Sequence, residues 1–363
     1  RARALVALRR LPPAPPDTLP RAIALVLATA AEDRSALHEL ADSDEPLLAG
    51  TANAIASYLW ESESDLDNAL KAAERMLRAI EVRGNPWLWA LAHCRVAELC
   101  LQVEQGAEAM HHLRLALPVL ERLHAWADVV GLRWWMVLSS LQVGDLEEAE
   151  RWLEQAAPQE VDEPVGAVTY GLGVRAEILL ARGEVEAGLR LWRRATDLLG
   201  AAQGPIFGFD IDPEQEPWVL EARAVAVVAH AQHGRLDLVA ELADQLPHRL
   251  ETMLTSRALN PPFVAEFPLD GAVMLAVAMV DLDRAARTGD RRAASSAARL
   301  VALAERFRYT RTFQPTMASA RARQAAKDAD RPAYDDAVSS YAGLDPAELR
   351  AVALEVLRAR KRD

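Results

Sequence analysis

Leu-Gln-Val stands at residues 101–103 and again, 40 residues on, at 141–143. Each copy ends an apolar stretch of helical spacing, precedes a short turn, and is followed by a second stretch with small residues inside. After Gly144-Asp145 the second stretch carries Ala149, Leu153 and Ala156, four and three apart. The copy before it turns at Glu104-Gln105 and carries Ala109, Leu113 and Ala116. The copy after it turns at Gly183-Glu184 and carries Gly188, Trp192 and Ala195. Further turns fall at Ser64-Asp65, Gly234-Arg235 and Gly289-Asp290, with a weaker one at Ala329-Asp330, followed by Tyr334, Val338 and Tyr341. A chain with this period is committed to helical hairpins. No single hairpin can bury its own apolar face, so the copies must stack to make a continuous core.

The turn chemistry agrees with that reading. Glycine supplies the positive φ that ends the first helix, and the acidic residue beside it favours the next N-terminus. Small residues three and four apart let the two helices of a hairpin approach closely. Two intervals between turns exceed 40 residues, and the excess coincides with two stretches lacking helical spacing, about 200–218 and 255–269. Asp345-Pro346-Ala347-Glu348 reads as an N-cap, a proline at the first helical position and a glutamate at the third, which starts a capping helix over 346–361. Pro12, Pro13, Pro15, Pro16 and Pro20 form a stiff segment that a helix cannot cross. The expected organisation is an N-terminal segment and Pro-rich linker over 1–20, then one all-α body over 21–363. That body is a right-handed solenoid of about seven helix-turn-helix hairpins with two loop insertions. The chain begins at Arg1 with no early methionine, which leads us to expect a piece of a longer protein.

Composition narrows the function classes. The net charge of −12 opposes a phosphate backbone. The basic knot Arg358, Arg360, Lys361 and Arg362 reads as a solvated helix end. The longest apolar runs, Ala22 to Ala31 and Gly271 to Val280, are about half of what a bilayer requires. Arg9 and Arg10 interrupt any secretory signal, so the expected compartment is cytoplasmic. Cys94 and Cys100 share one helix and cannot bridge each other, so we expect buried, reduced thiols.

With Gly144-Asp145-Leu146-Glu147-Glu148-Ala149 as the strongest copy, the hairpins resemble tetratricopeptide repeats. The 40-residue period is similar to the longer-helix variant in sensor arms of bacterial regulatory ATPases of the signal-transduction type with numerous domains. A narrower resemblance rests on Leu303-Ala304-Glu305-Arg306-Phe307 through Tyr309, together with the broken stretch at 200–219. Both resemble the C-terminal superhelix of actinobacterial transcriptional regulators that join a bacterial transcriptional activation domain, an ATPase module and repeats. The resemblance implies a region that senses a ligand or partner and restrains an ATPase. The phosphate-binding loop of such a module is not in this sequence, because glycine precedes none of Lys71, Lys327 and Lys361.

No catalytic constellation stands out, and no cofactor or metal is called for. His230 and His233 have a spacing that can serve one metal, but no cysteine or carboxylate accompanies them, so a capping or surface pair is expected. The adjacent His111-His112 point apart. Trp152 and Trp192 fall on the inward side of second helices and are expected in the core.

Two binding candidates remain. In stacked hairpins the first helix of each pair lines the concave face. Projection back from the turns places Tyr58, Cys94, Glu98, Gln102, Trp134, Gln142, Tyr170, Glu177, Gln232, Met279 and Asp283 there. Amides and aromatics suit hydrogen bonding to an extended peptide or a docked helix. The other candidate is a pocket walled by the insertions, from Phe207, Phe209, Trp218, Phe263 and Phe267.

The leading expectation is therefore a non-enzymatic sensor or scaffold region of a larger transcriptional regulator. Its partner would be a protein or its own upstream ATPase module, with a peptide or small molecule as effector, and without direct nucleic-acid or membrane binding. A free-standing adaptor is the alternative. A third reading is an enzyme or small-molecule binder with a loop-built site.

Overall fold

In the computed structural model, the described residues are 18–32, 35–156, 165–201, 217–256, 269–309 and 313–360. Among them are sixteen α-helices and no strand. Those through Met136 form one compact unit and those from Val137 onward a second. In unit 1, α1 (Leu19–Glu32) and the short α2 (Ala36–Ala41) precede the hairpin α3 (Pro46–Ser62) and α4 (Leu66–Arg83). The hairpin α5 (Pro86–Gln102) and α6 (Gly106–Arg122) follows, then the first part of α7 (Trp126–Gln142).

The rest of α7 opens unit 2, which continues with α8 (Leu146–Ala156), α9 (Val165–Ala181), α10 (Val185–Ala201) and α11 (Pro217–Gln232). A 3-10 turn over Leu236–Val239 leads into α12 (Ala240–Ser256). Then come α13 (Asp270–Thr288), α14 (Arg291–Arg306), α15 (Ser319–Tyr341) and α16 (Pro346–Arg360). The fold is an all-α helical repeat of the tetratricopeptide-like kind.

The turns obey one backbone rule. Ser64, Glu104, Gly144, Gly183, Gly234 and Gly289 all take positive φ, between 60° and 79°. The residue after each left-handed position donates its N–H five residues back: Asp65 to Trp60 O (2.9 Å), Gln105 to Cys100 O (2.8 Å), Asp145 to Ser140 O (2.9 Å). The left-handed residue itself reaches three back, as Ser64 does to Glu61 O at 2.8 Å, except Gly289, which reaches four back to Ala285 O. This paired closure satisfies carbonyls that a helix end leaves without partners. The next residue then caps the following helix: Asp65 accepts from Asn68 N, Asp145 from Glu148 N, and Asp290 from Arg292 N and Ala293 N. One residue ends a helix and its neighbour begins the next.

The sequence pattern missed a second set of turns. Gly84 and His124 also take positive φ (69° and 53°), at the ends of the second helices. From residue 64 to 144 a left-handed residue therefore recurs every 20 residues. These turns close the second helices, which the 40-residue comparison of first-helix ends does not register, and at His124 the glycine signal is missing as well.

The hairpin seams pack as expected. Ala69, Ala73, Ala109, Leu113, Ala116, Ala149, Trp192, Ala195 and Ala298 have no exposed surface. Cys94 and Cys100 are free and buried, and burial pushes both thiols up to about 12. At α16 the predicted start is present in full: Asp345 accepts from Ala347 N (2.8 Å) and Glu348 N (2.9 Å), while Glu348 accepts from Asp345 N (2.9 Å).

Several expectations need correcting. Ala329-Asp330 is not a left-handed turn. α15 runs through it with a kink at Asp330 (φ −158°, ψ 89°), where the carboxylate caps Ala333 N and Pro332 restarts the helix. Val338 there is 41% exposed and lies outside the seam. Trp152 is only half-buried, its Nε1 donating to Glu148 on its own helix. His230 is fully buried, unlike the surface residue expected: its Nδ1 bonds Ala226 O (2.7 Å) and its Nε2 faces Arg193 (3.0 Å). Helix also extends into both insertions, through Ala201 and Ser256 and from Pro217.

The left-handed turns predict a stability pattern. A Cβ added at Gly144 meets nothing within 4 Å, so Gly144→Ala isolates the backbone cost, expected at about 1 kcal/mol. Ser64→Gly should gain up to about 1 kcal/mol by the same rule. Urea unfolding of the two variants measures both.

Candidate functional site

The first helices of the hairpins carry polar groups where a core would ordinarily be apolar. In unit 1 the centre is Arg95 on α5, 3% exposed. Its Nε donates to Ser57 Oγ (3.0 Å), Nη2 to Glu61 (2.6 Å) and Nη1 to Glu98 (2.7 Å). The guanidinium carbon lies 3.7 Å from the centre of the Tyr58 ring, a cation–π contact. Gln102 donates to the second oxygen of Glu61. Two carboxylates share one guanidinium, and burial pushes the Glu98 carboxyl above its ordinary value although Arg95 opposes the shift.

Tyr58 remains 45% exposed and the Glu98 side chain 22% exposed, so this polar cluster reaches the surface. Three of the residues projected from sequence, Tyr58, Glu98 and Gln102, therefore meet here. Arg95, the residue that joins them, was missed. Its signal was present: apart from Glu98 it is the charged residue in an otherwise apolar helix.

Unit 2 carries a second cluster. Glu177 on α9 has no exposed surface. Its Oε1 accepts from Trp192 Nε1 (2.9 Å) and its Oε2 from the backbone N–H of Thr316 (2.9 Å). Gln232 on α11 donates to the carbonyl of the same Thr316 (3.0 Å). Both backbone groups of one residue are thus held by side chains that lie 139 and 84 positions away in sequence. Phe313 meets Trp192 edge-on, with ring centres 5.2 Å apart and planes at 80°.

The notch for Phe313 depends on Gly173: a Cβ there would lie 2.8 Å from the Trp192 ring and 3.1 Å from that of Phe313. The seated segment is a tight turn. Met317 N donates to Phe313 O (2.7 Å), across a cis Gln314–Pro315 bond. Upstream, the backbone at Arg308 passes so close to α13 that a Cβ on Gly271 would fall 2.0 Å from its carbonyl oxygen.

Burial pushes the Glu177 carboxyl up to about 7, against the opposing hydrogen bonds from Thr316 and Trp192 and the charge of Arg321. The other projected residues are placed as follows. Trp134 is 3% exposed, Gln142 is half-buried, and Asp283 pairs with Arg287 at 2.9 Å. Cys94 and Met279 are buried. Tyr170 and Trp218 fall within α9 and α11, but their side chains lie outside the described set. Phe207, Phe209, Phe263 and Phe267 lie outside the described residues.

A cavity of about 520 Å³ opens between α10, α11 and the start of α12, bordered by Arg193, Asp197, Arg223, Asp237, Glu241 and Gln245. Among the described residues no three His, Cys, Asp or Glu side chains converge as a metal site. No helix of the described residues is long and apolar enough to cross a membrane.

No protein-family model matches the chain, and no curated protein matches it. Among solved structures it is similar to a Rap protein complexed with Competence and Sporulation Factor, at 13% identity and a TM-score of 0.59. The match covers 98% of this chain and 89% of that one. At that identity the likeness concerns the fold.

Two tests follow from these clusters. Arg95→Met strands two carboxylates and should cost about 3–5 kcal/mol in chemical unfolding, part of which removal of Glu61 in the same chain restores. Glu177 behaves differently. Its folded state keeps a proton to about pH 7, while the unfolded chain releases it near 4.5. The stability it contributes is full below 4.5 and lost as pH rises toward 7. The stability difference between the native chain and Glu177→Gln should therefore shrink across that window, at a rate approaching about 1.4 kcal/mol per pH unit.

Proposed function

We propose that this chain is a non-enzymatic interaction scaffold whose first-helix face binds protein segments. The observation that carries this reading is the grip on Thr316: a carboxylate takes its N–H and an amide takes its C=O, from two successive first helices. Contacts to backbone groups, with one aromatic side chain in a notch, are how a surface holds a polypeptide without demanding a full sequence. The similar fold of the Rap protein, solved with a bound factor, supports a binding role for this architecture.

Within that reading, the chain acts as the sensor region of a larger transcriptional regulator and restrains an ATPase module elsewhere in its parent. The support is the resemblance at Leu303 to Tyr309 and at 200–219 to such regulators. Leu303, Ala304, Phe307 and Tyr309 are core residues here. A free-standing adaptor would use the same face, and the coding sequence upstream of Arg1 separates the two. A phosphate-binding loop ending Gly-Lys-Ser or Gly-Lys-Thr supports the regulator, and a nearby start codon supports the adaptor.

The face itself is tested by display selection of random dodecapeptides on the immobilised full chain. Tyr58→Ala should weaken peptides selected on the unit 1 part of this face, and Tyr170→Ala or Asp283→Asn those selected on the unit 2 part, each by about tenfold with the helical signal unchanged, the loss expected for an interface anchor. Selected peptides that bind all three variants as they bind the native chain would overturn the assignment to this face.

A further inference from the structure

The turn at Phe313–Met317 occupies the very side chains, Glu177 and Gln232, that the repeat pattern projects as partner contacts. It belongs to no hairpin, lying between α14 and α15. Phe313 is 4% exposed and Met317 is fully buried, so the turn is seated and does not merely rest on the face. Its polar grip includes two bonds to backbone groups, one to an N–H and one to a C=O. Every polypeptide offers that pair, so an incoming chain can restore both bonds as it removes the resident ones. Gly173 completes the seat by leaving room for one aromatic ring beside Trp192.

We infer that this seat on α9, α10 and α11 is a binding site filled by the chain's own Phe313–Met317 turn, and that a partner displaying an aromatic-led loop displaces the turn. The resident turn thereby sets a threshold. Apparent affinity for the partner falls by the fraction of molecules in which the seat is empty. The partner class is a protein loop with one aromatic side chain followed, three residues on, by a residue whose N–H and C=O are both available. The inference rests on the scaffold reading above and assigns a regulation to it.

The test uses the full chain and a head-to-tail macrocycle containing Phe-Gln-Pro-Thr-Met as probe, followed by titration calorimetry. Phe313→Ala empties the notch, and the macrocycle should bind this variant at least about tenfold more tightly than the native chain, because the competent fraction rises. Adding Gln232→Ala to Phe313→Ala should abolish that gain, which places the probe in the seat. Equal binding to the native chain and to a folded Phe313→Ala variant overturns the inference, as does a gain that survives Gln232→Ala.

Should Phe313→Ala fail to fold, hydrogen exchange of the native chain decides. The Met317 amide, bonded to Phe313 O, should exchange by local opening at least about a hundredfold faster than the α11 amides at Val225–Ala229. Exchange at the same rate as those core amides overturns the inference. If the inference fails while peptides selected on the first-helix face still bind there, the scaffold reading stands. Loss of all such binding brings both down.

Discussion

The structure depends on a two-residue joint. A left-handed residue and its neighbour each return one N–H to the helix just ended, and where the neighbour is Asp65, Asn85, Asp145 or Asp290 its side chain starts the next. This joint needs no loop of its own. A helix plus joint occupies 20 residues through unit 1, and the hairpin repeats every 40 because two such quanta make one. Where glycine provides the left-handed residue, the joint carries little strain. Where Ser64, Glu104 or His124 does, packing of the flanking helices must hold it. Stacking and turn geometry therefore support one another, and neither alone would fix the period.

On that frame the first helices depart from ordinary core chemistry. Second helices seal the seams with alanine and leucine, while the first helices carry Arg95, Glu61, Gln102 and Glu177 into the interior. A buried carboxylate is tolerable only when its acceptor capacity is filled, and each one here is filled differently. Glu61 is answered by a guanidinium and an amide, so the unit 1 cluster is closed by side chains of neighbouring helices. Glu177 is answered by an indole and a backbone N–H from a non-repeating segment. One solution is internal to the repeats. The other borrows from outside them.

That difference also explains what the sequence disclosed. Repeated positions announce themselves, so Glu98, Gln102, Glu177 and Gln232 emerged from simple projection off the turns. The glycines that close first helices and Asp345-Pro346-Ala347-Glu348 were equally legible, because a cap or a positive φ is a local demand on one residue. Phe313 and Thr316 were not legible, because they lie in a non-repeating stretch that no period predicts. Arg95 was overlooked for a related reason: it sits one helical turn from Glu98, off the projected face, and only its charge in an apolar helix marks it. The kink at Asp330 misled because a cap was present without the left-handed residue that elsewhere precedes it.

Repeat arrays usually fold as a row of neighbours, each unit answerable only to the next, so that their ends fray and their middles hold. The passage of Arg308 against α13 and the seating of Phe313–Met317 on α9 and α11 break that independence within unit 2. Arg360 on α16, paired with Asp281 on α13 at 2.7 Å, adds a second long-range stitch. Helices that would otherwise melt one after another are tied across as many as 139 positions of sequence. Unit 2 thus acquires the all-or-none cooperativity of a globular domain, with the slower closure that distant contacts impose on folding.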